Sequence, residues 1–283
     1  MTQNMNKTIK SLLVMSESKG CILMLHGYKQ SDTIFYKKTS GLRKHLTKQL
    51  GYELFYPCGQ MKIDGNMAAD HTGVEDQPES VDMFSWLLRD NITGISKISD
   101  EKSVKPLVDY IEKSITSQGK ELVGIIGFSQ GACFTSVLIQ YYSHLKIFEN
   151  LKFGIMFSGF HLDDSSIVKD TDKAIETIKR EEPIRSLHVM GTLDTVVEDF
   201  KTDNLHDNFK DNYGVENTEL FKHMGGHYVP NNKGFLLKVA SWIDSAEQSG
   251  EKAIEETKKF DNNNKEIPNL DEDLLKSIDN LGF

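Results

Sequence analysis

The stretch Leu122-Val123-Gly124-Ile125-Ile126-Gly127-Phe128-Ser129-Gln130-Gly131-Ala132 decides the reading of the fold. Its first five residues are an unbroken run of apolar side chains and glycine, the pattern of a strand buried on both faces. A G-x-S-x-G pentapeptide follows, Gly127 to Gly131. Behind it Ala132, Cys133, Val137 and Leu138 continue as a helix of small and apolar residues. A buried strand, a sharp turn carrying a serine and then a helix make up a nucleophile elbow. The turn brings strand and helix backbones too close for a β-carbon, which is why glycine stands at 127 and 131. The serine is expected in a strained conformation with its hydroxyl aimed into a cleft. The alternative for the same residues is an ordinary strand-to-helix turn with a serine N-cap.

Working outward, similar short apolar runs recur at Cys21–Leu25, Tyr52–Tyr56, Phe153–Phe157, Leu187–Met190 and Thr218–Phe221. Between them lie longer stretches with one apolar face, at Ile34 to Leu50, Val104 to Ile115, Ala132 to Leu145 and about Lys233 to Ala246. Strands alternating with helices imply an α/β fold, a mainly parallel central sheet with helices on both faces. In such sheets functional groups gather at the carboxyl ends of strands. Three segments fall outside the rhythm. Residues 1–17 read as a polar extension ahead of a domain spanning 18–246. Residues 58–100 contain no convincing strand and read as a long insertion over the active site. Residues 247–283 form an acidic tail, with ten acidic and five basic residues, whose Leu270, Leu274, Leu275, Ile278 and Leu281 suit one short amphipathic helix.

A serine hydroxyl attacks an ester only with a base within hydrogen-bond reach, and that base needs an orienting carboxylate. The order Ser, then acid, then His holds in α/β-hydrolases. Asp194 follows the strand Leu187–Met190 and the turn glycine Gly191, which places it at a strand's carboxyl end; the position also suits a helix N-cap. Asp199 and Asp203 compete but fall within the next helical stretch. His227 follows Gly225-Gly226 after the last strand, a turn able to carry an imidazole over the strand ends, with His223 as its structural companion. Ser129, Asp194 and His227 stand 65 and then 33 residues apart, all in strand-end loops. At the front, His26-Gly27-Tyr28 follows the first strand. There the backbone N–H of Tyr28 would join that of Gln130 in an oxyanion hole. Within the insertion Met61, Met83, Phe84, Trp86 and Leu87 suit either an acyl pocket for short or medium chains or a small core beneath a long loop.

Together Leu25-His26-Gly27-Tyr28, Gly127-Phe128-Ser129-Gln130-Gly131-Ala132, Gly191-x-x-Asp194-x-x-Val197 and His223-x-Gly225-Gly226-His227-x-Val229-Pro230 resemble the FSH family of serine hydrolases, over roughly residues 18 to 245. The resemblance implies an α/β-hydrolase fold, with Ser129 as nucleophile, Asp194 as triad acid and His227 as base. It implies esterase or thioesterase activity on a small-molecule ester or thioester, with no metal or organic cofactor. The acidic tail departs from the family pattern and offers a surface for a protein partner. An interaction protein acting through that tail is the non-enzymatic alternative.

Composition agrees with this class. The net charge of −9 argues against nucleic acid as the main partner, since phosphate binding needs a basic face. No apolar run approaches the ~20 residues of a membrane span. Three cysteines without metal-ligand spacing suit a reducing compartment, the cytoplasm or also the nucleus. No G-x-G-x-x-G follows a strand, which removes the dehydrogenase reading.

Overall fold

The structure is a computed structural model that describes residues 18–63, 82–90, 95–162 and 183–247. The chain divides into two units, Met1–Ile243 and Asp244–Phe283. Within the second, residues 244–247 are helical. The expected extension at 1–17 and the amphipathic helix near 270–281 lie outside the described residues.

Six strands build the central sheet of the first unit: β1 (Cys21–Leu25), β2 (Glu53–Phe55), β7 (Leu122–Phe128), β8 (Phe153–Phe157), β9 (Arg185–Gly191) and β10 (Thr218–His223). Their order is β10-β9-β8-β7-β1-β2, and every neighbouring pair runs parallel. The chain lays β2 on one side of β1 and then returns to place β7 on the other. This reversal opens a crevice beyond the carboxyl ends of β1 and β7, the ends that carry His26-Gly27-Tyr28 and Ser129.

Burial explains why the inner strands were readable. All five residues of β1, all seven of β7 and all five of β8 are buried. Cys21, Leu23 and Leu25 of β1 pack in one cluster with Ile125, Phe134 and Ile111, while Ile22 and Met24 face the other side of the sheet. Residues α1 (Asp32–Lys38) and α2 (Ser40–Lys48) replace the single helix expected over Ile34 to Leu50. The break falls at Thr39, whose hydroxyl donates back to the Phe35 carbonyl at 2.7 Å and lies 3.0 Å from the Tyr56 hydroxyl. Helix α3 (Lys105–Ser114) matches its amphipathic pattern, and Leu107 and Ile111 are its buried face. Helix α4 (Gln130–Val137) is buried along its whole length; its residues are mostly small or apolar, and the hydroxyls of Thr135 and Ser136 donate back to the Gly131 and Cys133 carbonyls. Between β9 and β10 runs α5 (Asp199–Tyr213), and a last helix starts at residue 233.

The insertion differs from expectation. Its described parts contain four short strands: β3 (Met61–Ile63) pairs antiparallel with β4 (Met83–Ser85), and β5 (Leu88–Arg89) with β6 (Ser96–Lys97). Strands of two or three residues are too short to show a period of two, so sequence patterning misses them. Phe84 anchors β4 to the site loop, its N–H donating to the Gln30 carbonyl at 2.9 Å.

Candidate active site

At the end of β7 the backbone reverses at Ser129, with φ of 54° and ψ of −117°. An L-residue with a positive φ in this region is strained, and it is held there from both sides. The Ser129 N–H donates to the Phe157 carbonyl on β8 at 2.8 Å, and its carbonyl accepts from Cys133 N–H at 3.0 Å in the first turn of α4. Gly131 makes the turn possible. A β-carbon there would stand 2.2 Å from the Leu25 carbonyl oxygen and 2.5 Å from that of His26. Gly127 meets the same constraint against the Gly131 carbonyl oxygen, at 2.3 Å.

Two loops bring Asp194 and His227 together. The turn after β9 and the turn after β10 are hydrogen-bonded to each other, Thr192 N–H to the His223 carbonyl at 2.9 Å and Leu193 N–H to that of Gly225 at 3.0 Å. Across this contact Asp194 Oδ2 accepts from His227 Nδ1 at 2.8 Å. The other carboxylate oxygen, Oδ1, accepts the N–H groups of Val196 and Val197, both at 2.9 Å. Asp194 thus closes a turn in its own loop while it holds His227; the N-cap of α5 is Glu198, not Asp194. Burial works against its charge, but the bonds from His227 and from Val197 N–H, aided by Ser158, hold its carboxyl below the usual range. The buried Ser158 hydroxyl makes no hydrogen bond among the described residues and acts on Asp194 as a nearby dipole. With Nδ1–H given to Asp194, His227 presents Nε2 as an acceptor.

The His227 ring lies 4.7 Å from that of Phe128, the residue before the serine. No hydrogen bond joins Ser129 Oγ to His227 among the described residues. Such bonds are commonly long in unliganded sites and tighten around substrate. Asp199 and Asp203 sit on α5 away from this pair; Asp203 faces Lys222 at 3.6 Å. His223 packs on Tyr228, with ring centroids 5.2 Å apart, and burial pushes its imidazole pKa down.

On the opposite wall, the Gly27 N–H is taken by the Gln30 side chain at 3.1 Å. The neighbouring Tyr28 N–H makes no hydrogen bond to the described residues. Gln130 is the first residue of α4, so its N–H is one of the donors a helix leaves unpaired. Both residues and Ser129 line one cleft of about 540 Å³. His26 fixes this wall. Its Nδ1 donates to the Gly27 carbonyl at 2.8 Å and its Nε2 accepts from Gly59 N–H at 2.9 Å. Burial pushes its imidazole down to about 4, so both bonds belong to the neutral ring.

The expected pocket residues lie elsewhere. Met61, Met83, Phe84 and Trp86 do not line this cleft. Trp86 and Leu87 are core: the Trp86 indole N–H donates to the His26 carbonyl at 2.8 Å, its ring stacks on Phe134, and its backbone N–H donates to Gln130 Oε1 at 2.8 Å. A tryptophan with a buried N–H needs such a partner, and here that partner ties the insertion to the elbow. Met61, Met83 and Phe84 are half-buried in the β3–β4 pair. The cleft instead draws apolar walls from Phe160, Leu162, Val197 and Phe200, and polar ones from Arg89 and Lys201. Sequence reasoning missed Ser158, although the Ser158-Gly159 pair after β8 marks one more strand-end turn; its φ is 48°. Among the described residues no cluster of histidine, cysteine or carboxylate could hold a metal, and no helix is long and apolar enough to cross a membrane.

A family model described as "Serine hydrolase (FSH1)" matches residues 15–239. The chain belongs to the FSH1 serine hydrolase family. Within the family it is 34% identical over 284 residues to "Family of serine hydrolases 3" of Saccharomyces cerevisiae, covering 95% of this chain and 99% of the relative. It is 26% identical over 212 residues to "Esterase OVCA2" of Xenopus tropicalis, covering 74% of this chain and 85% of that one. Among solved structures it is similar to Zea mays acyl-protein thioesterase 2, with a TM-score of 0.58 at 16% identity, over 82% of this chain and 95% of that one. The fold is that of the α/β-hydrolases and the protein is a hydrolase.

Proposed function

We propose that the protein hydrolyses carboxylic esters by acyl transfer to Ser129. As the serine hydroxyl attacks the carbonyl, its proton passes to His227 Nε2, while Asp194 holds the tautomer and stabilises the imidazolium that forms. The N–H groups of Tyr28 and Gln130 receive the negative charge on the former carbonyl oxygen, a contact made only in the tetrahedral state and worth about 2.7–4 kcal/mol per donor. Collapse expels the alcohol with the proton from His227. Water, deprotonated by His227, then attacks the acyl-serine and frees the acid. Ester rather than another acyl substrate is supported by the name of the Xenopus relative.

The observation that carries this reading is a strained serine lining a cleft, next in sequence to Phe128, whose ring lies 4.7 Å from that of a histidine already tied to a buried carboxylate. A Ser129→Ala variant tests it on 4-nitrophenyl butyrate. Turnover should fall by on the order of 10⁶-fold, as in comparable triads. Retention of more than about a tenth of kcat would overturn the assignment, and so would a folded wild-type protein without esterase activity.

A further inference from the structure

Among the described residues, the charge lining the cleft runs against that of the chain. The protein has 42 acidic and 33 basic residues, yet the described residues that bring formal charge to the cleft are Arg89 and Lys201, with no aspartate or glutamate among them. The two cations come from separate elements, Arg89 from β5 in the insertion and Lys201 from the first turn of α5. Lys201 is partly compensated by Glu198, 3.3 Å away and exposed to solvent. Arg89 has no carboxylate partner among the described residues. Its guanidinium stands 5.5 Å from the centroid of the Tyr28 ring, a cation–π distance, which keeps the charge on the wall that also carries the free Tyr28 N–H. Deeper in, Leu162 and Val197 are buried and apolar. The cleft thus has an apolar interior with the serine at one side and an exposed cationic rim within the same 540 Å³.

We infer that the substrate bears, besides the scissile ester, an anionic group, a carboxylate or phosphate, which Arg89 receives with Lys201 beside it. The inference rests on Ser129 being the nucleophile, since it orients the substrate around that atom. Two sources could supply the anion, the far end of the acyl chain or the leaving group. A guanidinium suits either, because its planar donors match carboxylate and phosphate oxygens. The site is open to solvent, so its selectivity is modest: about five- to tenfold in kcat/KM, and sensitive to salt.

The experiment compares two matched pairs on the full-length protein. 4-Nitrophenyl hydrogen adipate and 4-nitrophenyl hexanoate have acyl chains of equal length and differ in a terminal carboxylate against a methyl group. S-Acetyl-4′-phosphopantetheine and S-acetylpantetheine differ only in a phosphate on the leaving group. A preference of about fivefold or more for the anionic member of either pair is expected, and the pair showing it identifies the source. High salt should shrink that preference. Arg89→Gln should bring the ratio close to one, and Arg89→Lys should restore most of it. If Arg89→Gln does not fold, the wild-type ratios and their salt dependence decide. Hexanoate hydrolysis with both ratios within about twofold of one would overturn this inference and leave the ester hydrolase standing, as would a preference that Arg89→Gln leaves intact. Failure to hydrolyse any of the four, with no covalent labelling of Ser129, would remove the hydrolase assignment itself.

Discussion

His26 is a fully buried imidazole whose neutral form holds two loops together, and acid should undo it. Its Nε2 accepts from Gly59 N–H, a bond that a proton on that nitrogen abolishes. Burial lowers its pKa from 6.5 to about 4. Below pH 6.5 the unfolded chain takes up a proton that the folded chain refuses until about pH 4. Stability is therefore lost across that window as pH falls, and is unaffected above it. Between pH 7 and pH 4.5 the linkage amounts to about 2.5 kcal/mol from this residue alone. His188, buried beside His206 and lowered to about 3, adds to the same loss. A His26→Gln variant isolates the first contribution, because the amide does not titrate and His188 is common to both proteins. At pH 7 the variant should be less stable, since the Gly27 carbonyl and the Gly59 N–H lose well-placed partners, at about 1–3 kcal/mol for each buried group left unpaired. By pH 4.5 the gap should close by about 2.5 kcal/mol. Urea unfolding followed by fluorescence of the buried Trp86 and Trp242 measures both values. Parallel stability curves for the two proteins would refute the account of a neutral His26.

Three further substitutions probe the construction of the site. Gly131→Ala would force a β-carbon to within 2.2 Å of the Leu25 carbonyl oxygen, and should cost about 3 kcal/mol or more and lower the melting temperature; an unchanged Tm would show that the elbow is looser than described. Asp194→Asn keeps the shape but presents the wrong hydrogen-bonding partner to His227, so kcat should fall about 10⁴-fold with little change in the far-ultraviolet spectrum. A loss under tenfold would deny Asp194 its role. Trp86→Phe keeps the ring on Phe134 but removes the donor to the His26 carbonyl, for an expected loss of about 1–3 kcal/mol in urea unfolding. If Trp86 lined an acyl pocket instead, the same change would alter chain-length preference and leave stability intact.

Much of this arrangement was legible in the sequence because it depends on local geometry. β1, β7 and β8 are buried on both faces and read as unbroken apolar runs. Ser129 follows such a run, Asp194 follows the largely buried β9 and His227 the half-buried β10, and all three stand near glycines, whose lack of a side chain marks where backbones approach. What was not legible depends on distant partners. The break at Thr39 rests on a bond to Phe35 and on Tyr56, 17 residues away. Trp86 looked like a pocket residue because its apolar bulk carries no sign of the His26 carbonyl, 60 residues distant, that its indole reaches. Nothing in the sequence marks Arg89 or Lys201, since only the packing of β5 and α5 around the serine brings them to one cleft.

The central claim is that Ser129 is the reactive group, and covalent capture tests it most directly. The wild-type protein is treated with a fluorophosphonate, and its intact mass and peptide map are recorded. One adduct per chain on the peptide containing Ser129, absent from Ser129→Ala, is the expected result. A folded protein that remains unmodified, or is modified at another serine, would contradict it.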